Sequence, residues 1–208
     1  MLYKIVKPIV WLFTKLFIHP KIIGKNNIPK EGRVILAGNH VHLFDPLPLI
    51  TLSKRSIHFL AKQSLFKNPQ GIIFRHLNLI KVKRDGHDGK ALDEAIEYLK
   101  NDKVIGIFPE GTRERGRGLM EFKYGAVKMA YAANSIIIPF AIVGSYNPFK
   151  KLYFVFDKPF KATGNVEVDN KNLRNKVSKL IKTHKVSSYF TSFFLCVKFI
   201  IEGRIWKN

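Results

Sequence analysis

Five apolar residues, Val34-Ile35-Leu36-Ala37-Gly38, stop abruptly at the polar octet Asn39-His40-Val41-His42-Leu43-Phe44-Asp45-Pro46. A short apolar run bounded in this way reads as a buried strand. The pattern recurs. Apolar runs predict further strands over 57–61, 79–82, 104–108, 136–143 and 152–156, the run at 136–143 being interrupted by Pro139. Helical patterns lie among them: a short one opened by Pro46 over 46–52, and one capped by Asp88 with apolar positions Leu92, Ala95, Ile96 and Leu99. Two more are expected over 122–134 and, as a basic helix, over 170–184. Strands alternating with helices predict an α/β fold, a single domain whose largely parallel central sheet is flanked by helices.

In such sheets the chemistry gathers beyond the carboxyl ends of the strands. The octet falls there, and its bend from strand into helix can bring His40 and Asp45 together. The carboxylate would hold one ring nitrogen while the other accepts a proton. A plainer reading makes Asp45 an N-cap before a proline at the first helical position, with His40 a satisfied strand-end histidine. The surrounding charge favours chemistry. Residues 1–84 carry fifteen Lys and Arg but only two acids, Glu31 and Asp45. The run at 104–108 ends in a second polar loop, Pro109-Glu110-Gly111-Thr112-Arg113. Gly111 permits close backbone approach, Thr112 offers a hydroxyl and Arg113 a planar bidentate donor, which suits a phosphate monoester. Read alone, the loop fits a surface turn with ordinary charge pairing equally well.

With 36 basic and 15 acidic residues the formal charge is +21, so an anionic partner is expected: nucleic acid, anionic lipid or a phosphorylated substrate. Nucleic-acid binding calls for exposed aromatics among the basic residues, whereas here the aromatics sit mostly in apolar runs, so no nucleic-acid partner is expected. The single cysteine, Cys196, excludes a disulfide framework and a Cys-based zinc site and fits a reducing compartment. His40-Val41-His42 could begin a metal site, but no further ligand cluster accompanies it and no metal is expected. The chain has no Gly-x-Ser-x-Gly elbow, no Walker loop and no Gly-x-Gly-x-x-Gly fingerprint.

The two ends differ from the middle. On a helix over 2–18, Lys4, Lys7, Thr14 and Lys15 fall within one sector about 100° wide, with Trp11 among them and apolar side chains around most of the rest. Such a helix suits the membrane interface, although Pro8 removes one of its bonds and docking on the domain's own core is the alternative. Residues 1–30 hold six lysines and no acid, which favours anionic membrane lipids as partners. The apolar run over 8–18 is broken by Lys15 and lacks a small-residue cleavage site, so no secretory signal is read there. No uninterrupted apolar stretch reaches the ~20 residues of a spanning helix. Residues 1–23 are therefore expected to form an amphipathic membrane-associated segment, 24–185 the domain, and 186–208 an apolar tail that is either a second interfacial helix or a docked end.

Taken together, Asn39-His40-x-x-x-x-Asp45 and, some sixty residues on, Phe108-Pro109-Glu110-Gly111-Thr112-Arg113 resemble the glycerolipid acyltransferase family. Within it the match is to the branch acting on 1-acylglycerol-3-phosphate (lysophosphatidic acid). The resemblance runs from about Gly24 to Ile142. It includes the passage from Lys62 through Leu65-Phe66 and Pro69 to Gly71, Val82-Lys83-Arg84, Phe122-Lys123-x-Gly125 and Ile138-Pro139. It implies that His40 is a general base oriented by Asp45, and that Glu110, Gly111, Thr112 and Arg113, with Arg84, hold the acceptor's phosphate. Lys62 would lie near the donor thioester. No cofactor is implied; acyl-CoA or acyl carrier protein would serve as donor substrate. The implied function is acyl transfer to the sn-2 hydroxyl of lysophosphatidic acid, making phosphatidic acid, at the cytoplasmic face of the cell membrane. Alternatives are another acceptor, such as glycerol-3-phosphate or a different lysolipid, and a non-catalytic basic membrane-binding protein. Two positions depart from the family pattern: His42 stands where a small hydroxyl residue is usual, and Lys83 where an acid is frequent.

Overall fold

A computed structural model describes residues 2–52, 55–66, 78–83, 89–114, 116–147 and 150–204, the side chains of 2–5 and 186–204 excepted. Its strands are β1 (Lys21–Ile23), β2 (Val34–Gly38), β3 (Ile57–Lys62), β4 (Ile80–Val82), β5 (Val104–Ile107), β6 (Ile136–Gly144), β7 (Leu152–Phe156) and β8 (Phe160–Lys161). Its α-helices are α1 (Leu2–Phe13), α2 (Pro46–Leu52), α3 (Gly89–Lys100), α4 (Gly125–Ala132) and α5 (Val166–Arg204).

The strands form one sheet in the order β1-β7-β6-β2-β5-β3-β4, with β8 also paired to β6. The six expected strands are present, and β6, β2, β5, β3 and β4 run parallel. The antiparallel margin, where β6 meets β7 and β8, is what makes the sheet mixed. β2 lies at its centre, each of its residues buried, between β5 and β6. One core layer packs α3, α4 and α5 on one face of the sheet through Leu99, Ala95, Met129, Ala130, Leu173 and Val177. The other packs Leu49 and Ile50 of α2 and Val10 of α1 against Val34, Leu36, Phe140 and Phe154. The sheet is thus covered on both sides, as a central run of continuous apolar residues requires.

Three local features differ from expectation. β6 passes through Pro139 unbroken. The backbone of Pro139 faces the gap between β7 and β8, where its carbonyl accepts from the Asp157 amide at 2.8 Å, so no ladder donor is missing there. Lys21–Ile23 is an edge strand beside β7 rather than part of the N-terminal segment. At the other end α5 runs from Val166 to Arg204 as one helix, joining the basic stretch to the tail. Asp88, the expected cap of α3, lies outside the described residues.

The N-terminal helix does form, continues through a π-turn (Thr14–Ile18), and turns in an unexpected direction. Its inward face carries Val10 and Thr14, and Lys7 reaches the carbonyl of Arg55 at 3.5 Å. Its outward face is apolar: Ile9 and Phe17 are each 63% exposed, and Trp11, Leu12 and Leu16 join them. Of the polar stripe, Lys7 and Thr14 meet the protein while Lys15 is exposed beside Trp11, and the apolar face looks away from the protein. Among the described residues no helix is long and apolar enough to cross a membrane.

Candidate active site

β2 and β5 are parallel neighbours, so the loops leaving them emerge on one edge of the sheet, as the sequence predicts. His40 and Asp45 meet there. Nδ1 of His40 lies 2.7 Å from Oδ2 of Asp45. The same oxygen accepts the amides of Val41 at 2.8 Å and His42 at 2.9 Å, and Oδ1 accepts the Tyr146 hydroxyl at 2.7 Å. Asp45 is wholly buried and its carboxylate has four hydrogen-bond partners among the described residues, three from the loop and one from Tyr146. An acceptor so surrounded calls for a donor on His40 Nδ1, which leaves Nε2 as the basic nitrogen. No group among the described residues bonds Nε2. The imidazole is also held flat: Phe108, the residue after β5, stacks on it at 4.2 Å, and Phe59 and Phe140 pack in turn on Phe108.

The second loop is tied to the first by the backbone of His40 itself. Its amide donates to Oε1 of Glu110 at 2.8 Å, and its carbonyl accepts from the Glu114 amide at 2.9 Å. Gly111, Thr112 and Arg113 are held between these two bonds, against His40. The other oxygen of Glu110 accepts from the Met120 amide at 3.0 Å. Glu110 thus reaches the site as a brace with both carboxylate oxygens engaged. Burial pushes its carboxyl above the usual range, opposed by the Met120 and His40 amides, with Glu114 nearby adding to the rise. Gly111 is in the left-handed region at φ 70°, and a Cβ there would come within 3.0 Å of the Lys123 side chain, which lies across it. Arg113 is half-buried, and its guanidinium bonds no group among the described residues.

Lys62 closes β3 on the same edge, exposed, in register with Val82, but no hydrogen bond joins it to His40 or Asp45. Arg84 lies outside the described residues. Three contributors escaped the reading of the sequence. Lys123 lies in the Phe122-Lys123-x-Gly125 stretch, whose sequence does not reveal that its side chain lies against Gly111. Asn39 bonds both the amide and the carbonyl of Ile142, at 2.7 and 3.0 Å, which clamps the end of β2 to β6. Tyr146 reaches Asp45 from 101 residues away, and no spacing rule announces such a contact.

A family model described as Acyltransferase matches residues 19–143, which takes in His40, Asp45 and the 110–113 loop. The chain is 38% identical over 133 residues to a 1-acyl-sn-glycerol-3-phosphate acyltransferase of Borreliella burgdorferi, covering 62% of this chain and 53% of that protein. It therefore spans about half the length of that relative. It is 30% identical over 191 residues to a probable 1-acyl-sn-glycerol-3-phosphate acyltransferase of Mycoplasma genitalium, covering 86% of this chain and 68% of that one. The crystal structure of the 1-acyl-sn-glycerophosphate (LPA) acyltransferase PlsC of Thermotoga maritima superposes with a TM-score of 0.73 at 25% identity, over 88% of this chain and 79% of its own. With its matched segment built around the histidine, the carboxylate and the cationic loop, the chain belongs to the Acyltransferase family.

Proposed function

We propose that this protein transfers a fatty acyl group from an acyl thioester to the sn-2 hydroxyl of 1-acylglycerol-3-phosphate, yielding phosphatidic acid for phospholipid synthesis. The observation that carries the reading is the placement of His40. Its Nδ1 is anchored on a buried carboxylate, Nε2 bonds no group among the described residues, and its backbone is bonded on both sides to the loop bearing Arg113. Nε2 takes the proton of the acceptor hydroxyl as that oxygen attacks the thioester carbonyl. The tetrahedral intermediate then collapses, the carbon–sulfur bond breaks, and the thiolate recovers the proton from the imidazolium. No acyl-enzyme is needed, because a thioester is already activated. General-base assistance is worth about 10²–10⁴-fold, and holding two substrates in line can contribute more. Arg113, with Thr112 and the Gly111 backbone, supplies that alignment by gripping the acceptor's phosphate, and Lys123 lies beside them. Arg84 is assigned to the same phosphate and Lys62 to the donor side. The donor is acyl-CoA or acyl carrier protein.

The place of action is the membrane surface, at its cytoplasmic face. The outward apolar face of α1 is continuous with the catalytic loop, since Phe13 meets Phe44 edge-on at 6.0 Å. A ledge of that kind is unfavourable in water and favourable among acyl chains, and it would bring His40 to the layer where a lysolipid resides. The test is thiol release with acyl-CoA or acyl carrier protein as donor, across lysophosphatidic acid, glycerol-3-phosphate and lysophosphatidylcholine as acceptors. Release that depends on lysophosphatidic acid supports the reading. Preference for glycerol-3-phosphate would move the chain to another acceptor, and absence of release with every pair would leave a binding protein.

A further inference from the structure

We propose that Tyr146 is a positioning residue of this reaction, whose hydroxyl fixes the orientation of Asp45 and, through it, the imidazole of His40. The inference rests on the reading of His40 as the base. Asp45 is fully buried, and its two oxygens are served unequally. Oδ2 is held by the Val41 and His42 amides and by His40, all from the catalytic loop, whereas Tyr146 is the one donor to Oδ1 among the described residues and comes from a separate part of the chain. Without it the carboxylate keeps a single anchored oxygen and leaves the other without a partner in a dry site, where a turn about χ2 draws Oδ2 away from Nδ1.

The placement of Tyr146 is itself built. Asn39 clamps Ile142 to the end of β2. Gly144 then turns the chain at φ 109°, where a Cβ would fall 2.1 Å from the Lys151 carbonyl, so only glycine fits. Two residues on, the Tyr146 ring lies on that of His42 at 4.3 Å, and its hydroxyl ends on Asp45. Burial first, and then the Asp45 carboxylate beside it, push that hydroxyl far above the ordinary phenol range, which keeps it a donor. Tyr146 stands three residues beyond the stretch that the family model matches, 19–143.

The test is Tyr146→Phe, which keeps the ring and its stack and deletes the one hydroxyl. Kinetics with acyl-CoA and lysophosphatidic acid should show kcat lowered about tenfold, the size of one charge-assisted hydrogen bond, with both KM values unchanged. In an Asp45→Ala background the same change should cost less than about twofold, because Tyr146 acts only through that side chain. The downfield imidazole proton of His40, followed by NMR without substrate, should shift in Tyr146→Phe. A kcat per folded molecule equal to wild type, an equal loss in the Asp45→Ala background, or an unmoved proton signal would each overturn the proposal. If His40→Ala abolishes transfer while Tyr146→Phe is silent, only this inference fails; if His40→Ala transfers normally, the base assignment fails with it.

Discussion

Asp45→Asn isolates the charge of the carboxylate from its shape. The amide oxygen can take the place of Oδ2 and still accept the Val41 and His42 amides and His40 Nδ1, while the amide nitrogen faces the Tyr146 oxygen. The loop should therefore hold. What disappears is the negative charge beside the imidazolium that forms as His40 takes the proton. From the 2.7 Å contact, the two charge centres lie about 4 Å apart, and at an effective dielectric constant of about 20 their attraction is about 4 kcal/mol. Lost from the transition state, that lowers turnover roughly a thousandfold. Stability should fall less, by about 2 kcal/mol, since charge-assisted bonds become neutral while the cost of burying an ion is relieved. The assay is thiol release at saturating donor and acceptor, with Tm measured on the same preparations. Folded Asp45→Asn protein turning over within tenfold of wild type would refute the electrostatic argument.

Arg113→Lys should lower kcat/KM for lysophosphatidic acid by about ten- to a hundredfold and leave that for the donor nearly unchanged, because lysine cannot reproduce the bidentate fork; loss on the donor side alone would move Arg113 to the thioester. Leu16→Asp/Phe17→Asp should weaken flotation with anionic liposomes about a hundredfold or more, at an estimated 1.5–3 kcal/mol per large apolar side chain. Tm should be unmoved, since both residues are exposed; a lowered Tm with flotation intact would assign the face to a protein contact. His58 is buried under Tyr98, and burial, then Lys103, hold its imidazole below the ordinary 6.5. The unfolded chain then binds more protons, so this contribution to stability is present above pH 6.5 and lost as pH falls through the folded value. His58→Phe should flatten the decline of Tm below pH 6.5 relative to wild type, and an identical slope would contradict this.

What was legible in the sequence is local. The central parallel strands β2, β5 and β6 are runs of adjacent apolar residues, and His40 and Asp45 meet within one five-residue bend, so both can be read without knowing the rest of the fold. The features that escaped are set by residues far apart. β1 is three residues with alternating exposure and exists only because β7 lies beside it. The facing of α1 could not be read from its own stripe, because the burial of Thr14 and the half-burial of Lys7 depend on the surface beneath. The continuity of α5 is a case of composition misleading: the change from basic to apolar near residue 186 looks like a boundary, yet no Gly or Pro stands between 166 and 202 to stop a helix. In the site itself, Glu110 reads as a member of a phosphate loop, while its carboxylate is spent bonding two amides that only the folded chain brings to it.

The central claim is that Nε2 of His40 is the base for acyl transfer to a lysolipid hydroxyl. His40→Ala removes that nitrogen at a side chain only partly buried, so the fold should survive with Tm close to wild type. The decisive measurement is the rate of phosphatidic acid formation from acyl-CoA or acyl carrier protein and lysophosphatidic acid by wild type and by this variant, each shown to be folded. The account predicts acceptor-dependent product from wild type and a loss of at least about a hundredfold in His40→Ala. Near-normal product formation by folded His40→Ala protein would contradict it.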